Sequence, residues 1–232
     1  MNPLHEPPVT NQIAPGQNTT DTPTVLRADG LHLSYAGHAV FDSLSARVGP
    51  GLTLITGASG RGKSTLLRLL AGTLPPDAGQ LYINGISLQN DPMVYRQQVF
   101  WTEPHTDAFD QITALDYFQL QRQAHGGLTD DGVAPIVDGL SLQSHLHKPL
   151  YMLSTGTKRK VWLTAAFLSG APVTLLDEPF AALDMASTDF VHRLLNNAAT
   201  HPTCAWVIAH HEAPANVPLA GTIDLGDGYL LD

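Results

Sequence analysis

The sequence predicts a layered α/β fold that begins with antiparallel strands. Residues 25–50 alternate apolar and polar side chains, as half-buried antiparallel strands do. From Gly51 onward, short apolar runs that suit buried strands alternate with segments of helical spacing. A glycine-rich loop at 57–62 joins the first of these apolar strands directly to a helix. These three observations indicate a layered core with one antiparallel strand set at its start.

The individual elements follow from local signals. Gly51–Thr56 is a short apolar strand, and 64–72 has helical spacing with a glycine stop. Asn84-Gly85 predicts a tight hairpin turn. Further strands are expected at 99–102, 173–177 and 204–209, and further helices at 114–124, 130–140, 157–169 and 185–199. The final segment, GTIDLGDGYLLD, predicts a closing hairpin on Gly226-Asp227-Gly228.

Composition limits the classes of function. The length of 232 residues suits one α/β domain or two small ones, and 43% hydrophobic residues exclude a wholly disordered chain. Lys+Arg is 12 and Asp+Glu is 21, so the net charge of −9 argues against general nucleic-acid binding, which needs a basic face. A local pocket can still bind one nucleotide. The single cysteine, Cys204, predicts a reducing compartment.

Two segments bear on targeting and membrane insertion. Residues 1–24 contain no Lys or Arg and no apolar run, so they predict a disordered leader rather than a secretory signal. The best candidate for a membrane span, residues 161–176, is uncharged, but it is short for a bilayer span and is split by Gly170-Ala171-Pro172. A helix followed by a strand is therefore expected there. The protein is expected to be soluble and to serve any membrane through a partner.

The glycine-rich segment matches a phosphate-binding pattern in full. Residues 57–65 read GASGRGKST, which fits GxxxxGK[ST] between a strand and a helix. Glycines let backbone N–H groups curl around phosphate oxygens, and the helix start directs its positive end at the same charge. Lys63 would reach the β- and γ-phosphates, and the Ser64 hydroxyl would ligate Mg²⁺. The predicted nucleotide-binding residues of this loop are Gly57, Ala58, Ser59, Gly60, Arg61, Gly62, Lys63, Ser64 and Thr65.

A second motif places two acids at the end of a buried strand. Residues 173–179 read VTLLDEP, so Asp177 ends an uncharged run and Glu178 follows it. Asp177 can hold Mg²⁺, directly or through water. Glu178 would point toward the attacking water as a general base or an orienting group. Two solvated acids after a strand are the alternative, and the phosphate loop favours the catalytic interpretation.

Residues 153–160 read LSTGTKRK, which alone predicts a helix capped by Ser154. This serine lies 177 − 154 = 23 residues before Asp177. Here the sequence resembles the nucleotide-binding subunits of ATP-binding cassette (ABC) transporters, in which an LSGGQ-like signature precedes the acidic strand by about this distance. LSTGT departs from that signature at its third and fifth positions. The resemblance implies that Ser154 and Gly156 contact the γ-phosphate of ATP held by a second subunit.

Other positions agree with the same family pattern. Tyr35 lies 57 − 35 = 22 residues before Gly57, where ABC subunits place an aromatic that stacks on adenine; a strand-end Tyr packed on its neighbours is the alternative. Residues 181–184 read AALD and resemble the D-loop, which implies an interface role for Asp184. WVIAHH resembles the switch strand, whose terminal His contacts the γ-phosphate. The resemblance assigns that role to His210, with His211 as the alternative.

The sequence departs from the family near residue 103. ABC subunits place a Gln after the strand at 99–102, where it ligates Mg²⁺ and senses the membrane partner. In QQVFWTEPH the corresponding position is Glu103, which can also coordinate Mg²⁺ but adds a negative charge. Gln97 or Gln98 serves instead if the alignment is shifted. The nearby run Lys158-Arg159-Lys160 is either a solvated helix start or a phosphate or partner contact.

The resemblance covers roughly residues 25–232. It implies a P-loop NTPase cassette with a RecA-like core, an antiparallel β subdomain and a helical signature subdomain at about 104–160. Its short length is similar to that of small exporter cassettes, including the haem-export ATPase subunits of cytochrome c maturation.

The function implied is that of a Mg²⁺-dependent ATPase subunit that dimerises, as a homodimer or heterodimer, around two ATP molecules. An integral membrane permease would be its partner, at the cytoplasmic face of the inner membrane, and no nucleic acid is expected. A soluble ABC ATPase that acts as an assembly factor would carry the same motifs and is the alternative. A P-loop kinase outside the ABC family would lack the signature segment and Asp184.

Overall fold

The structure is a computed structural model that describes residues 23–35, 37–103, 106–125 and 130–226. Within these ranges the chain forms a four-stranded sheet, a five-stranded sheet and six α-helices. The strands are β1 (Leu26–Tyr35), β2 (His38–Val48), β3 (Gly51–Thr56), β4 (Ala78–Ile83), β5 (Ile86–Ser87), β6 (Val99–Trp101), β7 (Val173–Asp177), β8 (Ala205–Ala209) and β9 (Gly221–Asp224). The helices are α1 (Lys63–Leu70), α2 (Pro92–Gln97), α3 (Ala114–His125), α4 (Asp130–Gly139), α5 (Thr155–Leu168) and α6 (Met185–Ala199).

The first sheet is antiparallel, in the order β2-β1-β4-β5. The predicted hairpin turn at Asn84-Gly85 is confirmed, because it joins β4 to β5 with Ile83 paired to Ile86. Asn84 has φ 49° and Gly85 has φ 81°. Two consecutive left-handed residues form the tight turn whose twist suits a hairpin. The expectation of antiparallel strands at 25–50 is also confirmed.

The second sheet is parallel, in the order β6-β7-β8-β3-β9. Its central strands are buried along almost their whole length, because helices cover both faces. β9 pairs in parallel with β3. The turn of the predicted closing hairpin runs through Asp227 and Gly228, which lie outside the described residues, as do residues 1–22 of the predicted leader. A layered α/β architecture is therefore the observed fold.

Two clusters of buried apolar side chains stabilise the molecule. One lies between the antiparallel sheet, α1 and one face of the parallel sheet. The other joins the opposite face of the parallel sheet to α3, α4, α5 and α6. The helices inserted between β6 and β7 thus share a core with the parallel sheet through residues such as Phe100, Tyr117 and Trp162. The boundaries of a helical subdomain at about 104–160 stay a prediction.

Helix boundaries differ modestly from those expected. α5 begins at Thr155, two residues before the predicted start, because Ser154 caps it: its Oγ accepts a hydrogen bond from the Thr157 N–H at 3.2 Å. The cap predicted at Ser154 is confirmed. The short helix α2 was not expected. Its signals, Asp91 followed by Pro92 at the first helical turn, are present but span too few residues to show a helical period.

Candidate functional site

Three neighbouring parallel strands, β7, β8 and β3, end at one edge of the sheet and bring the predicted motifs together. Asp177 at the end of β7 is in register with Ala209 at the end of β8, and Ala209 is also paired with Ile55 of β3. The phosphate loop follows β3, and His210 follows Ala209 directly. In a parallel sheet the carboxyl ends of neighbouring strands form one rim, where ligands bind. The register thus places loop, acids and histidine side by side.

The phosphate loop depends on backbone conformations that favour glycine. Gly57, Gly60 and Gly62 have φ values of 143°, 81° and 88°. Gly62 is the N-cap of α1, and a Cβ there would lie 3.0 Å from side-chain atoms of Val40 and Phe41. The β1–β2 hairpin therefore packs directly against the loop. The positive φ and the close neighbours together explain why glycine is needed at 62.

Lys63 is fixed over this loop. Its Nζ donates to the Gly57 carbonyl at 2.8 Å and to the Ala58 carbonyl at 3.1 Å. The loop is anchored from its other side by Arg61, whose Nε donates to the Leu225 carbonyl at 2.9 Å. Because α1 begins at Lys63, its first N–H groups and the ammonium face the same concavity. Such a concavity suits a multiply charged phosphate.

Ser64 and Asp177 meet across the loop and the sheet edge. Ser64 and Asp177 line one cleft, and the Ser64 hydroxyl lies near enough to the Asp177 carboxylate to lower its pKa. Burial raises the pKa of Asp177, and the charge of Glu178 raises it further. The Ser64 hydroxyl and the positive charges of Arg159 and Lys63 lower this pKa and offset part of the rise. A hydroxyl and a carboxylate oxygen are the hard donors that Mg²⁺ prefers. The pair therefore fits a Mg²⁺ site next to the phosphate loop.

Glu178 and His210 form a close pair at the same edge. His210 Nδ1 lies 2.6 Å from Glu178 Oε2, and the His210 ring packs edge-on against Phe180. Glu178 adopts φ 45°, which turns the chain sharply after β7. The His210 side chain is 10% exposed and that of Glu178 is 40% exposed. One partner is thus held by packing while the carboxylate faces solvent.

The two competing histidines lie in different surroundings. His210 is buried at the end of β8 and its backbone N–H donates to the Ile55 carbonyl. The His211 side chain is 67% exposed, and its Nε2 lies 3.6 Å from Glu212 Oε1. Within the described part of the chain, Glu178 forms its histidine hydrogen bond with His210 and not with His211. The geometry supports His210 over His211 for the switch position.

Glu103 lines the cleft, whereas Gln97 and Gln98 do not. A cleft of about 690 Å³ is lined by Glu103 together with Ser64, Asp177 and Glu178. Glu103 also forms an ion pair of 3.8 Å with Arg68. Gln97 and Gln98 precede β6, and the Gln98 carbonyl accepts from Val173 at the start of β7. They therefore lie at the opposite end of the strands.

The signature segment is attached to the rest of its own chain. A Cβ at Gly156 would lie 2.5 Å from the Ala182 carbonyl oxygen, so the start of α5 packs against the segment at 181–184. Ser154 is exposed at the helix N-terminus. Asp184 caps α6 by accepting from the Ser187 N–H at 2.9 Å. The hydrogen bond from Lys160 and those from Ser187 lower the pKa of its carboxyl. Asp184 thus has a structural role of its own.

Each of the three basic residues at 158–160 has a partner within the chain. Lys158 pairs with Asp110, and Lys160 Nζ lies 2.7 Å from Asp184. Arg159 is 9% exposed, and its Nη1 donates to the Asp177 carbonyl at 2.8 Å. The interpretation of a solvated helix start is wrong, because each cation meets an acceptor from a distant part of the chain. These three bonds fix the signature helix to the site.

Arg159 is the site residue that motif reasoning missed. It lines the cleft with Asp177 and Glu178, whose charges oppose the lowering of its pKa by burial. A nearly buried cation needs such partners, since a lone one is costly. The signal in the sequence was a charged residue three and four positions before the apolar Trp162 and Leu163, on the same helix face. Its partner at Asp177 lies 18 residues away and could not be inferred.

Tyr35 ends β1 and is 46% exposed, so its ring is accessible at the hairpin that packs on the loop. Stacking on adenine and the alternative of packing on neighbouring side chains both stay predictions. Among the described residues, no helix has both the length and the apolar composition to cross a membrane.

Known proteins share both the sequence and the fold of this cassette. The profile of the ABC transporter family matches residues 41–181, more than half of the chain. The chain is 32% identical over 180 residues to the cytochrome c biogenesis ATP-binding export protein CcmA of Pseudomonas savastanoi pv. phaseolicola, covering 77% of this chain and 83% of that protein. A CcmA protein of Cupriavidus metallidurans is 31% identical over 193 residues, covering 82% and 92%.

Solved structures of ABC transporter ATP-binding proteins share the fold of this chain. The ATP-binding subunit of an ABC transporter aligns with a TM-score of 0.73 at 25% identity, covering 81% of this chain and 80% of that one. An ABC transporter ATP-binding protein from Pyrococcus furiosus shares the fold with a TM-score of 0.70 at 21% identity, covering 86% and 96%. With the family profile, the export-protein relatives and the cassette fold in agreement, the chain belongs to the ABC transporter family of ATP-binding proteins.

Proposed function

We propose that this chain binds and hydrolyses ATP as one subunit of a dimer that encloses two ATP molecules and powers an integral membrane permease. The observation that carries the proposal is the meeting of three features at one sheet edge. These are the Lys63 loop, the Ser64–Asp177 contact and the Glu178–His210 pair. Phosphate binding, metal binding and water activation need these groups within a few ångströms of one another.

The nucleotide would lie along the phosphate loop. Backbone N–H groups of residues 57–65 and the Lys63 ammonium would hold the β- and γ-phosphates. Tyr35, at the end of β1, would stack on the adenine. The glycines of the loop already adopt the positive φ angles that direct its N–H groups toward a phosphate.

Mg²⁺ would be held by the Ser64 hydroxyl and Asp177, with Glu103 facing them across the cleft. When bound, Mg²⁺ neutralises charge on the phosphate oxygens. Arg159 supports Asp177 by fixing its backbone carbonyl at 2.8 Å. That bond sets the position of the strand end from which the carboxylate projects.

Glu178 would accept the proton of the attacking water. An ionised carboxylate can only accept hydrogen bonds, so His210 Nδ1, 2.6 Å away, carries the proton of that bond. The ring therefore holds the carboxylate in place and leaves the second carboxylate oxygen of the half-exposed Glu178 for water. His210 would reach the γ-phosphate from the same position.

A second subunit would complete each ATP site. Ser154 and Gly156 lie at the N-terminus of α5, where the helix dipole favours a phosphate from outside the chain. Asp184, linked to Lys160 and to α6, would hold the 181–184 segment at that interface. Homodimers and heterodimers both satisfy this arrangement.

The relatives suggest the class of transport. They are ATP-binding export proteins of cytochrome c biogenesis. We extend this to the chain as a proposal: the permease is an exporter of that process, and the chain binds it at the cytoplasmic face of the inner membrane. The alternative is a soluble ABC ATPase that acts as an assembly factor, because the same site would serve it.

Affinity purification from detergent-solubilised membranes distinguishes these two functions. We expect the tagged chain to recover one polytopic membrane protein, identified by mass spectrometry and absent when an untagged chain is expressed. Recovery from the soluble fraction only, with soluble partners, would contradict the transporter assignment and favour the assembly factor.

Glu103 gives a separate prediction about the metal site. The cleft contains Glu103, Asp177 and Glu178, so a neutral side chain at 103 lowers the negative charge that faces ATP. We expect Glu103→Gln to hydrolyse ATP at the native rate or up to a few times faster, and Glu103→Ala to need more Mg²⁺ for half-maximal activity. Steady-state kinetics against Mg²⁺ measure both. If neither variant differs from the native protein, Glu103 does not occupy the metal-binding position.

A further inference from the structure

Three side chains at the catalytic edge form a group of the kind that binds transition metals. Glu178, His210 and His211 each offer one ligand atom, and these atoms lie within 4.8 Å of one another. The two imidazole centroids are 4.1 Å apart. Glu212 lies next to the group, with Oε1 3.6 Å from His211 Nε2. The three candidate ligands thus come from two segments, the residue after β7 and the turn after β8.

We propose that Glu178, His210 and His211 bind a transition-metal cation of the Zn²⁺ class, and that the bound ion blocks ATP hydrolysis. Binding of the metal does not depend on the function proposed above, whereas the block does. The ligand set excludes Mg²⁺ as the natural occupant, because Mg²⁺ prefers oxygen donors in an octahedron. Imidazole with carboxylate suits Zn²⁺, Cu²⁺ and Ni²⁺.

The geometry can close around such an ion with small side-chain movements. Zn²⁺ is bound by His nitrogen at about 2.0–2.1 Å, which separates tetrahedral ligand atoms by roughly 3.3 Å. His210 and Glu178 are already closer than this, at 2.6 Å, so they need only part slightly. His211 must approach, and its side chain is 67% exposed and can rotate. Glu178, at 40% exposed, leaves the site open to ions.

The chemical consequence follows from the shared ligands. A metal between His210 and Glu178 replaces their hydrogen bond and occupies the carboxylate that would accept the water proton. His210 remains neutral in this arrangement, because its Nδ1 proton moves to the other ring nitrogen. Lys63, Ser64 and Asp177 take no part in the group, so the phosphate loop and the proposed Mg²⁺ ligands remain available to ATP even though the metal engages His210. Inhibition without loss of ATP binding is therefore expected.

Calorimetric titration of the nucleotide-free full chain with Zn²⁺ tests the site directly. His211→Asn removes one metal ligand that is not part of the Glu178–His210 pair. The matched control is His147→Asn, which removes an exposed histidine outside the metal-binding group. We expect one equivalent of Zn²⁺ to bind the native protein and His147→Asn alike. Its affinity should fall at least about tenfold in His211→Asn, since even weaker perturbations of zinc sites cost 10–100-fold.

Hydrolysis measurements complete the test. At a fixed concentration of unchelated Zn²⁺ and saturating Mg-ATP, the native protein and His147→Asn should be inhibited, and His211→Asn should resist. Equal Zn²⁺ affinity in native protein and His211→Asn would overturn the site. Zn²⁺ binding that follows the prediction without any effect on hydrolysis would keep the metal site but overturn the block. If no variant hydrolyses ATP at all, the calorimetry still decides the metal site, and the proposed ATPase function is what fails.

Discussion

Replacement of Glu178 by Gln is expected to slow ATP hydrolysis by at least about 100-fold while ATP affinity stays near its native value. General-base groups contribute roughly 10²–10⁴ in rate. Gln has the shape of Glu and keeps an oxygen that accepts from His210 Nδ1, so the 2.6 Å contact and the backbone at φ 45° can persist. The variant therefore removes the base and little else. Phosphate release and equilibrium ATP binding measure the two quantities.

The matched control is Glu212→Gln, which neutralises an exposed acid two residues from His210. We expect this control to hydrolyse ATP normally. If Glu178→Gln kept more than about a tenth of native activity, a different group would be the base. If it lost ATP affinity together with activity, the carboxylate would contribute to binding rather than to proton transfer.

The same variant should trap the dimer. ATP that is not hydrolysed would stay between Lys63 of one chain and Ser154 of the other. Glu178→Gln should therefore be dimeric with Mg-ATP and monomeric without nucleotide, by size-exclusion chromatography with light scattering. A monomer at saturating Mg-ATP would contradict a dimer formed by the chain alone, and the experiment would then need the membrane partner.

A second substitution, at the N-terminus of α5, should dissociate that dimer into monomers. Gly156→Asp is unsuitable, because its Cβ would collide with the Ala182 carbonyl within the same chain. Thr155 is exposed at the first position of α5, where an acidic side chain stabilises its own helix. Thr155→Asp added to Glu178→Gln should restore the monomer, since the new carboxylate repels the facing phosphate. If the dimer persisted, the N-terminus of α5 would not face the ATP phosphate of the other subunit.

The rim of the sheet was predictable because each of its residues carries a local signal. The loop at 57–65, the acid pair after 173–176 and the histidine after 205–209 all follow buried apolar strands, and parallel strands end on one rim. Glu103 follows β6 and lines the same cleft, whereas its role as a metal ligand, which the family resemblance implied, stays a prediction.

The partners of the basic run were not predictable, because pairing across the fold has no local signature. Lys158 meets Asp110 over 48 positions of sequence, and Lys160 meets Asp184 over 24. A charged run on a helix is equally consistent with solvent until the opposing segment is placed. Asp184 is a second example. Its motif suggested an interface role, and only the structure shows that its carboxylate also caps α6.

Loss of the Lys63 ammonium should abolish nucleotide binding. In Lys63→Ala the concavity of the loop keeps its backbone N–H groups but loses the cation that faces it. Charge-assisted bonds to phosphate are among the strongest in proteins. We expect ATP affinity to fall at least about 100-fold, or roughly 2.7 kcal/mol. Equilibrium binding with a fluorescent ATP analogue measures the change.

Arg61→Ala separates the effect of charge from that of loop shape. Arg61 anchors the loop through the Leu225 carbonyl at 2.9 Å, whereas Lys63 bonds to the loop carbonyls at 57 and 58. Both variants thus lose a cation and a bond to backbone, but only Lys63→Ala loses the charge directed into the concavity. A much smaller loss of affinity is expected for Arg61→Ala. If the two losses were equal, loop shape alone would govern binding. Native ATP affinity in a Lys63→Ala protein with an unchanged melting transition would show that the loop at 57–65 is not the phosphate site.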